Sequence, residues 1–472
     1  MSFVSVCFLF FLPAVFLLYW GLNRHQRWQN MFLVVASYVF YGWWDYRFLF
    51  LIFLTSLSSY VTGMMIAKSC GQRQRYWTAT ANIVFNLLIL LVFKYYNFFI
   101  DSLHVLASSV GFLLDVPTLY LILPVGISFY TFQSLSYTID VYKGNVKATP
   151  DVVAFFAYIC FFPQLVAGPI ERATNLLPHM LNTRRFDYDD AVDGLRQVLW
   201  GFFKKMVIAD QCALAVNMVW DDWWSQSAIM LLVSMVLFSF QIYGDFSGYS
   251  DIAIGTAKLF GIHLNDNFRL PYFSHSIAEF WRRWHISLMS WFRDYVYIPL
   301  GGSLGTRMLA ARNTIIVFLL SGLWHGANWT FVVWGAYNAV LFLPSLLLGK
   351  KHKRHTQDPS LLDVPAIILT FLFVTFGWVF FRADTLGAGL GYLHLTFISV
   401  VHGSWGAMTA GKGALLWCCV LIVIEWLTRR YRHPLQIVLT WPPVVRWSVY
   451  YVLLLCVIFF HGEEQTFIYF QF

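Results

Sequence analysis

A series of long apolar stretches constrains this chain more than any other feature. They occupy residues 3–20, 31–44, 48–66, 77–99, 119–139, 152–166, 195–219, 228–243, 313–324, 326–348, 362–381, 413–426 and 447–460. A helix that spans a bilayer needs about 20 apolar residues. Several of these stretches are shorter, so we expect about ten to twelve true spans. The remaining stretches would be re-entrant pieces surrounded by protein.

Composition supports an integral membrane protein. The 472 residues are 59% hydrophobic and only 12% charged, and the mean hydropathy is +0.61. A soluble protein of this length could not bury so much apolar surface. No convincing internal repeat divides the chain, so we expect residues 1–472 to form one integral membrane domain.

The net charge of +8 could suggest nucleic acid, but no zinc-finger spacing or RNP motif supports that partner. An excess of Lys and Arg in cytoplasmic loops explains the charge, and membrane lipid is the expected surroundings. Basic loops near Arg24, Lys68 and Lys143 alternate with loops that carry Asp101 and Asp222. This alternation predicts that both termini lie outside the cytoplasm.

His325 is a candidate catalytic residue because it interrupts an apolar region. It lies thirteen residues beyond Arg312, or roughly 20 Å along a helix. Trp324 and Trp329 would shield the ring from water, which favours a neutral imidazole able to accept a proton from a hydroxyl. Packing against a neighbouring helix is the alternative, but ionisable groups inside a membrane usually have a function. Gly322 and Gly326 would let another helix approach closely.

His285 allows two interpretations. Apolar residues from Ile277 to Trp291 follow helical spacing, with Arg282, His285 and Arg293 on another face. This pattern predicts one amphipathic helix that lies flat on the cytoplasmic surface. The same cationic groups could attract an anionic, phosphorylated donor. The pattern alone does not separate these two interpretations.

Two carboxylates lie in QIYGDFSGYSD at 241–251. Asp245 and Asp251 could orient a histidine, bind a cation or join helices. Gly244 and Gly248 favour the last of these, because they permit close packing. The chain contains neither the G-x-S-x-G nor the H-E-x-x-H pattern, so a lipase or a zinc protease has no support. We expect no metal site.

Six motifs resemble the membrane-bound O-acyltransferase family, in its bacterial branch that includes the membrane subunit of alginate O-acetylation. They are FPQLVAGPIER at 162–172, GDFSGYSD at 244–251, NFRLPY at 267–272, FWRRWH at 280–285, LWHG at 323–326 and FIYFQF at 467–472. The resemblance implies an all-α polytopic fold of about eleven transmembrane helices, with re-entrant and interfacial helices around a central tunnel. It also implies that His325 is the catalytic histidine. His285 matches a second signature position, which is often Asn or Asp in other branches, and would be catalytic or orient the donor.

The resemblance implies an O-acetyltransferase of the bacterial inner membrane. Acetyl from cytoplasmic acetyl-CoA would reach hydroxyls of an alginate, cellulose or peptidoglycan type of polymer, directly or through an extracytoplasmic transferase partner. Acetyl-CoA binding is assigned to Arg282, Arg283, Trp281 and Trp324, with no permanently bound cofactor and no metal.

The alternative function is a transporter or channel-like component of a polysaccharide export complex. Intramembrane Asp245, Asp251, Lys94 and His325 would fit it. The paired, Gly-interrupted helices common in transporters are not evident.

The lengths of the apolar stretches also predict the positions of the two histidines. Residues 313–324 are too few to span a bilayer, which would leave His325 near the middle of the membrane. His285 would stay near the cytoplasmic interface on its amphipathic helix. A tunnel would then connect the two histidines.

Overall fold

The structure, a computed structural model, describes residues 1–112, 114–119, 121–166, 168–348, 359–463 and 465–470. Residues 167, 471 and 472 of the motifs above lie outside this part of the chain. Regular structure in the described residues is helical throughout. The first ten helices are α1 (Val6–Gly21), α2 (Gln26–Gly42), α3 (Leu49–Lys68), α4 (Gln72–Leu90), α5 (Tyr96–Ser109), α6 (Ile127–Lys143), α7 (Val152–Cys160), α8 (Phe162–Leu165), α9 (Ala173–Leu181) and α10 (Tyr188–Phe202). The others are α11 (Asp210–Asp221), α12 (Ala228–Leu259), α13 (Ile277–Arg283), α14 (Ile286–Phe292), α15 (Arg307–His325), α16 (Trp329–Leu347), α17 (Val364–Arg382), α18 (Leu386–Val401), α19 (Lys412–Leu427) and α20 (Pro443–Phe459).

The all-helical, polytopic membrane fold is confirmed. Among the described residues, six helical stretches are long and apolar enough to cross a membrane: Tyr46–Lys68, Gln72–Ser109, Ala228–Leu259, Arg307–His325, Trp329–Leu347 and Leu361–Arg382. Shorter apolar helices are Val6–Gly21, Leu386–Val401 and Pro443–Phe459. The count of about eleven spans and the central tunnel stay predictions.

The chain divides into two compact units. The first comprises residues 1–194 and 256–265, and the second comprises residues 195–255 and 266–472. The predicted single domain of residues 1–472 is not tested by this division. The candidate site described below lies within the second unit.

Buried polar side chains join three helices of the first unit. Asn82 of α4 donates to Ser59 Oγ of α3 at 3.2 Å and to Thr138 Oγ1 of α6 at 2.7 Å. A Cβ added to Gly63 of α3 would lie 2.8 Å from the Tyr137 ring of α6. Small residues and interhelical hydrogen bonds replace the hydrophobic driving force that is weak between helices in lipid.

The close approach predicted at Gly322 is confirmed in the second unit. A Cβ at Gly322 of α15 would lie 2.2 Å from the Phe331 carbonyl oxygen, and a Cβ at Gly335 of α16 would lie 2.4 Å from that of Phe318. At Gly326 the neighbour is the Phe331 ring, 2.1 Å away. Only glycine therefore lets α15 and α16 pack this closely, and their contact fixes the end of α15.

The carboxylates of α12 join helices, as the glycines beside them predicted. Asp251 pairs with Lys204 at 2.6 Å, and Asp245 pairs with Lys205 at 2.8 Å. Both lysines lie in a π-helical turn, Phe203–Ala209, between α10 and α11. A Cβ at Gly248 would lie 3.0 Å from the Lys205 amide nitrogen, so glycine brings the two backbones close enough for these pairs.

The helices differ from the apolar stretches in several places. Residues 121–126 are not helical, because Pro124 precedes Gly126 (φ 72°) and α6 begins only afterwards. The stretch 152–166 breaks at Phe161, so neither part is long enough to span. Helix α15 has 19 residues rather than a short apolar arm, because Thr306 Oγ1 accepts from Leu309 N and caps a turn that begins at Arg307. Helix α18 was missed altogether.

Candidate functional site

The predicted amphipathic helix around His285 is interrupted at the histidine itself. Helix α13 ends before Trp284, α14 begins after His285, and His285 has a φ of 44°. A non-helical segment at 267–269 supplies the missing backbone partners. The Arg269 amide donates to the Arg283 carbonyl at 3.0 Å, and the Ile286 amide donates to the Asn267 carbonyl at 2.9 Å. The continuous helix was therefore a wrong prediction, and tertiary hydrogen bonds cause the break.

Asn267 also determines which nitrogen of His285 carries the proton. Its Oδ1 accepts from Ser287 Oγ at 2.9 Å and lies 3.4 Å from the Ser287 amide nitrogen. Its Nδ2 donates to Ser250 Oγ at 3.2 Å. Because the Ser287 amide can only donate, this oxygen faces His285 Nδ1, 3.0 Å away. Nδ1 therefore donates, and Nε2 of the neutral ring carries the lone pair.

His285 is buried among aromatic rings rather than exposed on one face of a helix. Only 1% of the residue is exposed, and its ring centroid lies 4.7 Å from that of Phe246, in an edge-on arrangement. Because burial penalises the imidazolium, it lowers the pKa of His285 to about 3. The ring is neutral at physiological pH. The expected position of His285 near the cytoplasmic interface stays a prediction.

His325 is the last residue of α15 and is 3% exposed. Four aromatic rings surround it, with centroids 5.0 Å away for Trp324, 5.1 Å for Trp334, 5.3 Å for Phe381 and 5.4 Å for Tyr469. The Trp334 ring stands edge-on to the imidazole, at 88°. Such an enclosure excludes water and strengthens electrostatic interactions at the ring.

The two histidines form one site. Their ring centroids lie 6.4 Å apart, and the Trp324 ring lies 5.7 Å from His285 and 5.0 Å from His325. The predicted arrangement, with one histidine at each end of a passage, was wrong. Its error came from treating 277–291 as a surface helix, whereas the turn at 284–286 directs the second ring toward the first.

The other predicted site residues fall into two groups. Trp324 lies between the histidines, and buried Trp281 packs against Phe318 and Trp334 at 5.4 and 5.6 Å. The arginines lie on the same short helix. Arg282 is exposed, while Arg283 is partly buried and forms an ion pair of 2.6 Å with Glu279. The structure thus brings both tryptophans, but neither arginine, into the aromatic surroundings of the pair.

Two residues of the site were not selected from the sequence, although both lie in quoted motifs. Asn267 lies in a polar loop, at the start of NFRLPY, and no sequence pattern linked it to His285. Tyr469 belongs to FIYFQF, and its ring contacts both histidines, at 5.4 Å from His325 and 6.4 Å from His285. The buried Tyr469 hydroxyl has no hydrogen-bond partner among the described residues. A buried hydroxyl of this kind requires an explanation, and a reacting group is one.

A polar cavity borders the residue after His325. Its volume is about 350 Å³, within the range of roughly 300–1,000 Å³ that small-molecule sites occupy. Amide, hydroxyl and charged side chains share its lining with apolar ones; the lining residues are Asn217, Phe238, Gln241, Gly326, Ala327, Asn328, Phe331, Arg382, Ala383, Asp384, Gln465, Thr466 and Ile468. Amides and hydroxyls of this kind suit a ligand that carries hydroxyl groups.

Comparison of the sequence with known proteins finds relatives of this chain. The chain is 37% identical over 454 residues to a probable alginate O-acetylase of Pseudomonas aeruginosa, covering 92% of this chain and 83% of the relative. It is 34% identical over 426 residues to a peptidoglycan O-acetyltransferase of Helicobacter pylori, covering 83% and 79%. It is also 29% identical over 268 residues to a teichoic acid D-alanyltransferase of Bacillus subtilis, covering 54% and 68%.

The profile of the MBOAT, membrane-bound O-acyltransferase family matches residues 38–383. That range includes both histidines, Asn267 and the carboxylates of α12. The relatives are named for transfer of acetyl or D-alanyl groups, so they do not favour the transporter alternative. The chain therefore belongs to the membrane-bound O-acyltransferase family and is an acyltransferase, an enzyme that moves an acyl group from a donor to an acceptor.

Proposed function

We propose that this enzyme transfers acetyl from cytoplasmic acetyl-CoA to hydroxyl groups of a cell-surface or secreted polysaccharide. The acceptor polymer is of the alginate, cellulose or peptidoglycan type, and the acetyl group reaches it directly or through an extracytoplasmic transferase. The enzyme would lie in the bacterial inner membrane with both termini outside the cytoplasm. The observation that carries the proposal is the buried pair of histidines, with ring centroids 6.4 Å apart, beside a polar cavity.

The proposed chemistry assigns proton transfer to His325. Its imidazole accepts the proton of the attacking hydroxyl as the oxygen bonds to the thioester carbonyl carbon. The carbon–sulfur bond then breaks, and the same proton passes to the CoA thiolate as it leaves. This transfer needs no reactant besides acetyl-CoA and the hydroxyl, because CoA already carries the activated acetyl group.

His285 has a positioning role in this scheme. Its Nδ1–H is committed to Asn267 Oδ1 at 3.0 Å, which leaves Nε2 as an acceptor nitrogen. As a neutral hydrogen-bond acceptor, Nε2 can hold an O–H or N–H group of either reactant, acetyl-CoA or the polymer, in line with His325. Holding the two reactants in a fixed geometry removes part of the entropic cost of a bimolecular reaction.

Trp281, Trp324, Arg282 and Arg283 complete the proposed donor site. Trp324 lies against both histidines and would enclose the thioester. Arg282 is exposed, so it is available to attract the phosphates of CoA from solution. Arg283 would contribute less to this attraction, because Glu279 already neutralises it at 2.6 Å.

Sealed membrane vesicles of both orientations test the proposal. Acetyl-CoA labelled in its acetyl group is added outside, and polymer is enclosed with its extracytoplasmic transferase where one is required. Vesicles with the cytoplasmic face outward should esterify the enclosed polymer, and right-side-out vesicles should not. The matched control is His394→Ala, which removes an exposed histidine from the apolar helix α18. Labelled polymer that persists at the wild-type rate in a His325→Ala enzyme would contradict the assignment.

A further inference from the structure

A buried lysine links the core of the second unit to the C-terminal segment. Lys205 is 1% exposed, and its ammonium contacts three oxygens. These are Asp210 Oδ1 at 2.7 Å, Asp245 Oδ1 at 2.8 Å and the Gln465 carbonyl oxygen at 3.1 Å. A buried charge is tolerated only when oppositely charged and polar groups surround it closely. Here one of those groups belongs to the tail, residues 465–470.

The second oxygen of Asp245 also reaches the tail. Its Oδ2 accepts from the Ile468 amide at 2.7 Å. A third contact lies just before the tail, where the Gly462 amide donates to the Met206 carbonyl at 3.1 Å. Lys205 and Met206 belong to the same π-helical turn. This turn and the Asp245 carboxylate therefore contact the C-terminal segment at residues 462, 465 and 468.

The residue after the last of these contacts is Tyr469. Its ring lies 5.4 Å from His325, 6.4 Å from His285 and 4.4 Å from Phe246, between centroids. The tail has little regular structure to hold the ring there, since only Ile468–Phe470 form a short 3₁₀ turn. Besides the packing of buried Phe467 against Tyr249, at 4.4 Å between ring centroids, the bonds that Lys205 and Asp245 make to the tail are what place Tyr469.

A neighbouring ion pair shows what a purely helix-joining pair looks like. Lys204 and Asp251 lie on the same two elements and pair at 2.6 Å. Their other contacts are with helix side chains, Ser247 at 2.9 Å and Gln197 at 2.8 Å. Joining helices therefore does not require bonds to the tail. The second pair, Lys205 with Asp245, makes such bonds in addition.

We propose that Lys205 and Asp245 are positioning residues that fix the C-terminal tail and thereby hold Tyr469 against the two histidines. The proposal rests on the proposed acetyl transfer, because its kinetic consequence appears only in that reaction. Its structural consequence, the protection of the tail, is independent of any activity. The ion pair would act on the reaction through Tyr469 and would not touch the donor.

The first test is Asp245→Asn. The Lys205 ammonium faces Asp245 Oδ1 and the Ile468 amide faces Oδ2. An asparagine has an oxygen at only one of these two positions, so its NH₂ group faces one of the two donors and repels it. We expect amide hydrogen exchange in residues 465–470 to increase at least tenfold. We also expect kcat to fall at least tenfold, with the KM for acetyl-CoA within threefold of wild type. Asp251→Asn is the matched control, and it should leave the tail protected and most of kcat intact.

Ile468→Pro tests the same link from the tail. Proline has no N–H to donate to Asp245 and is tolerated at the first residue of a helical turn. Ile468→Val keeps the amide and serves as its control in the exchange measurement. If Asp245→Asn does not fold, the two variants of Ile468 still test the link to the tail, because they leave the buried charges unchanged.

Three results would overturn the proposal: a tail that stays protected in both Asp245→Asn and Ile468→Pro, a released tail with wild-type kcat, or equal release in Asp251→Asn. An inactive wild-type enzyme would instead contradict the proposed function. The exchange measurement would still decide whether Lys205 and Asp245 hold the tail.

Discussion

Replacing Asn267 with leucine should damage the reaction more than the fold. The substitution keeps the number of side-chain heavy atoms and the branching at Cγ but removes the oxygen that accepts from His285 Nδ1 at 3.0 Å. A buried donor left without its acceptor costs about 1–3 kcal/mol. The imidazole can avoid this cost by moving its proton to Nε2 or by rotating. Either change removes the lone pair that the proposed role of His285 requires.

The size of the effect follows from that cost. About 2 kcal/mol corresponds to roughly a 30-fold loss, at about 1.4 kcal/mol per tenfold in rate. We expect kcat to fall 10- to 100-fold, while the KM for acetyl-CoA changes by less than about threefold, because the damage is to the reacting geometry. Asn267→Asp should retain more activity, since a carboxylate still accepts the bond. It should also move the acid limb of the pH profile upward by raising the pKa of His285.

Initial rates of labelled acetyl transfer by purified enzyme in liposomes provide the assay. Asn86→Leu is the control, because it removes a buried asparagine of α4 whose side chain donates to Asn82 of its own helix at 2.9 Å. If Asn267→Leu retained activity within threefold of wild type, with a native melting temperature, the hydrogen bond would not control the histidine. The argument from the tautomer would then be wrong.

Three further outcomes are expected. His325→Ala should lower the rate about a hundredfold or more, the usual contribution of a general base, with normal expression and membrane insertion; activity within threefold would refute its role. Neutralising Arg282 should raise the KM for acetyl-CoA and flatten its salt dependence more than neutralising Arg283, which Glu279 already pairs; a change in the acceptor KM alone would contradict this. The free energy of unfolding should decrease as the pH is lowered from 6.5. Unfolded His285 then binds a proton, whereas the buried ring, with its pKa of about 3, stays neutral. The expected loss is about 2 kcal/mol at pH 5. Above pH 6.5 the ring is neutral in both states and this contribution is complete. Thermal unfolding at pH 5 and 7 should show a smaller difference for His285→Asn, and an equal difference would count against this assignment.

The sequence identified the histidines but not their proximity. Membrane-length apolar stretches and the family motifs were enough to predict a helical membrane acyltransferase and to select His325. The apolar spacing from Ile277 to Trp291 continues through His285, so no local signal marks the break there. The break depends on two backbone hydrogen bonds, one between Ile286 and Asn267 and one between Arg269 and Arg283. Such tertiary partners cannot be read from periodicity.

The bounds of α15 show a related limit. An apolar window excludes Arg307 and Arg312, although both belong to the helix that ends at His325. Long basic side chains can extend their charged ends toward water from within a helix, so charge does not mark where the helix begins. The cap at Thr306 was the available signal, since its side chain accepts from Leu309 N.

The left-handed backbone of His285 limits which residues can stand at this position. At a φ of 44°, a β-branched or bulky side chain is strained, whereas Asn, Asp and His tolerate the conformation better than most. Those are the three residues that the family resemblance implies for this position. Replacement of His285 by asparagine or aspartate should therefore keep this turn, whereas a β-branched residue such as valine would strain it.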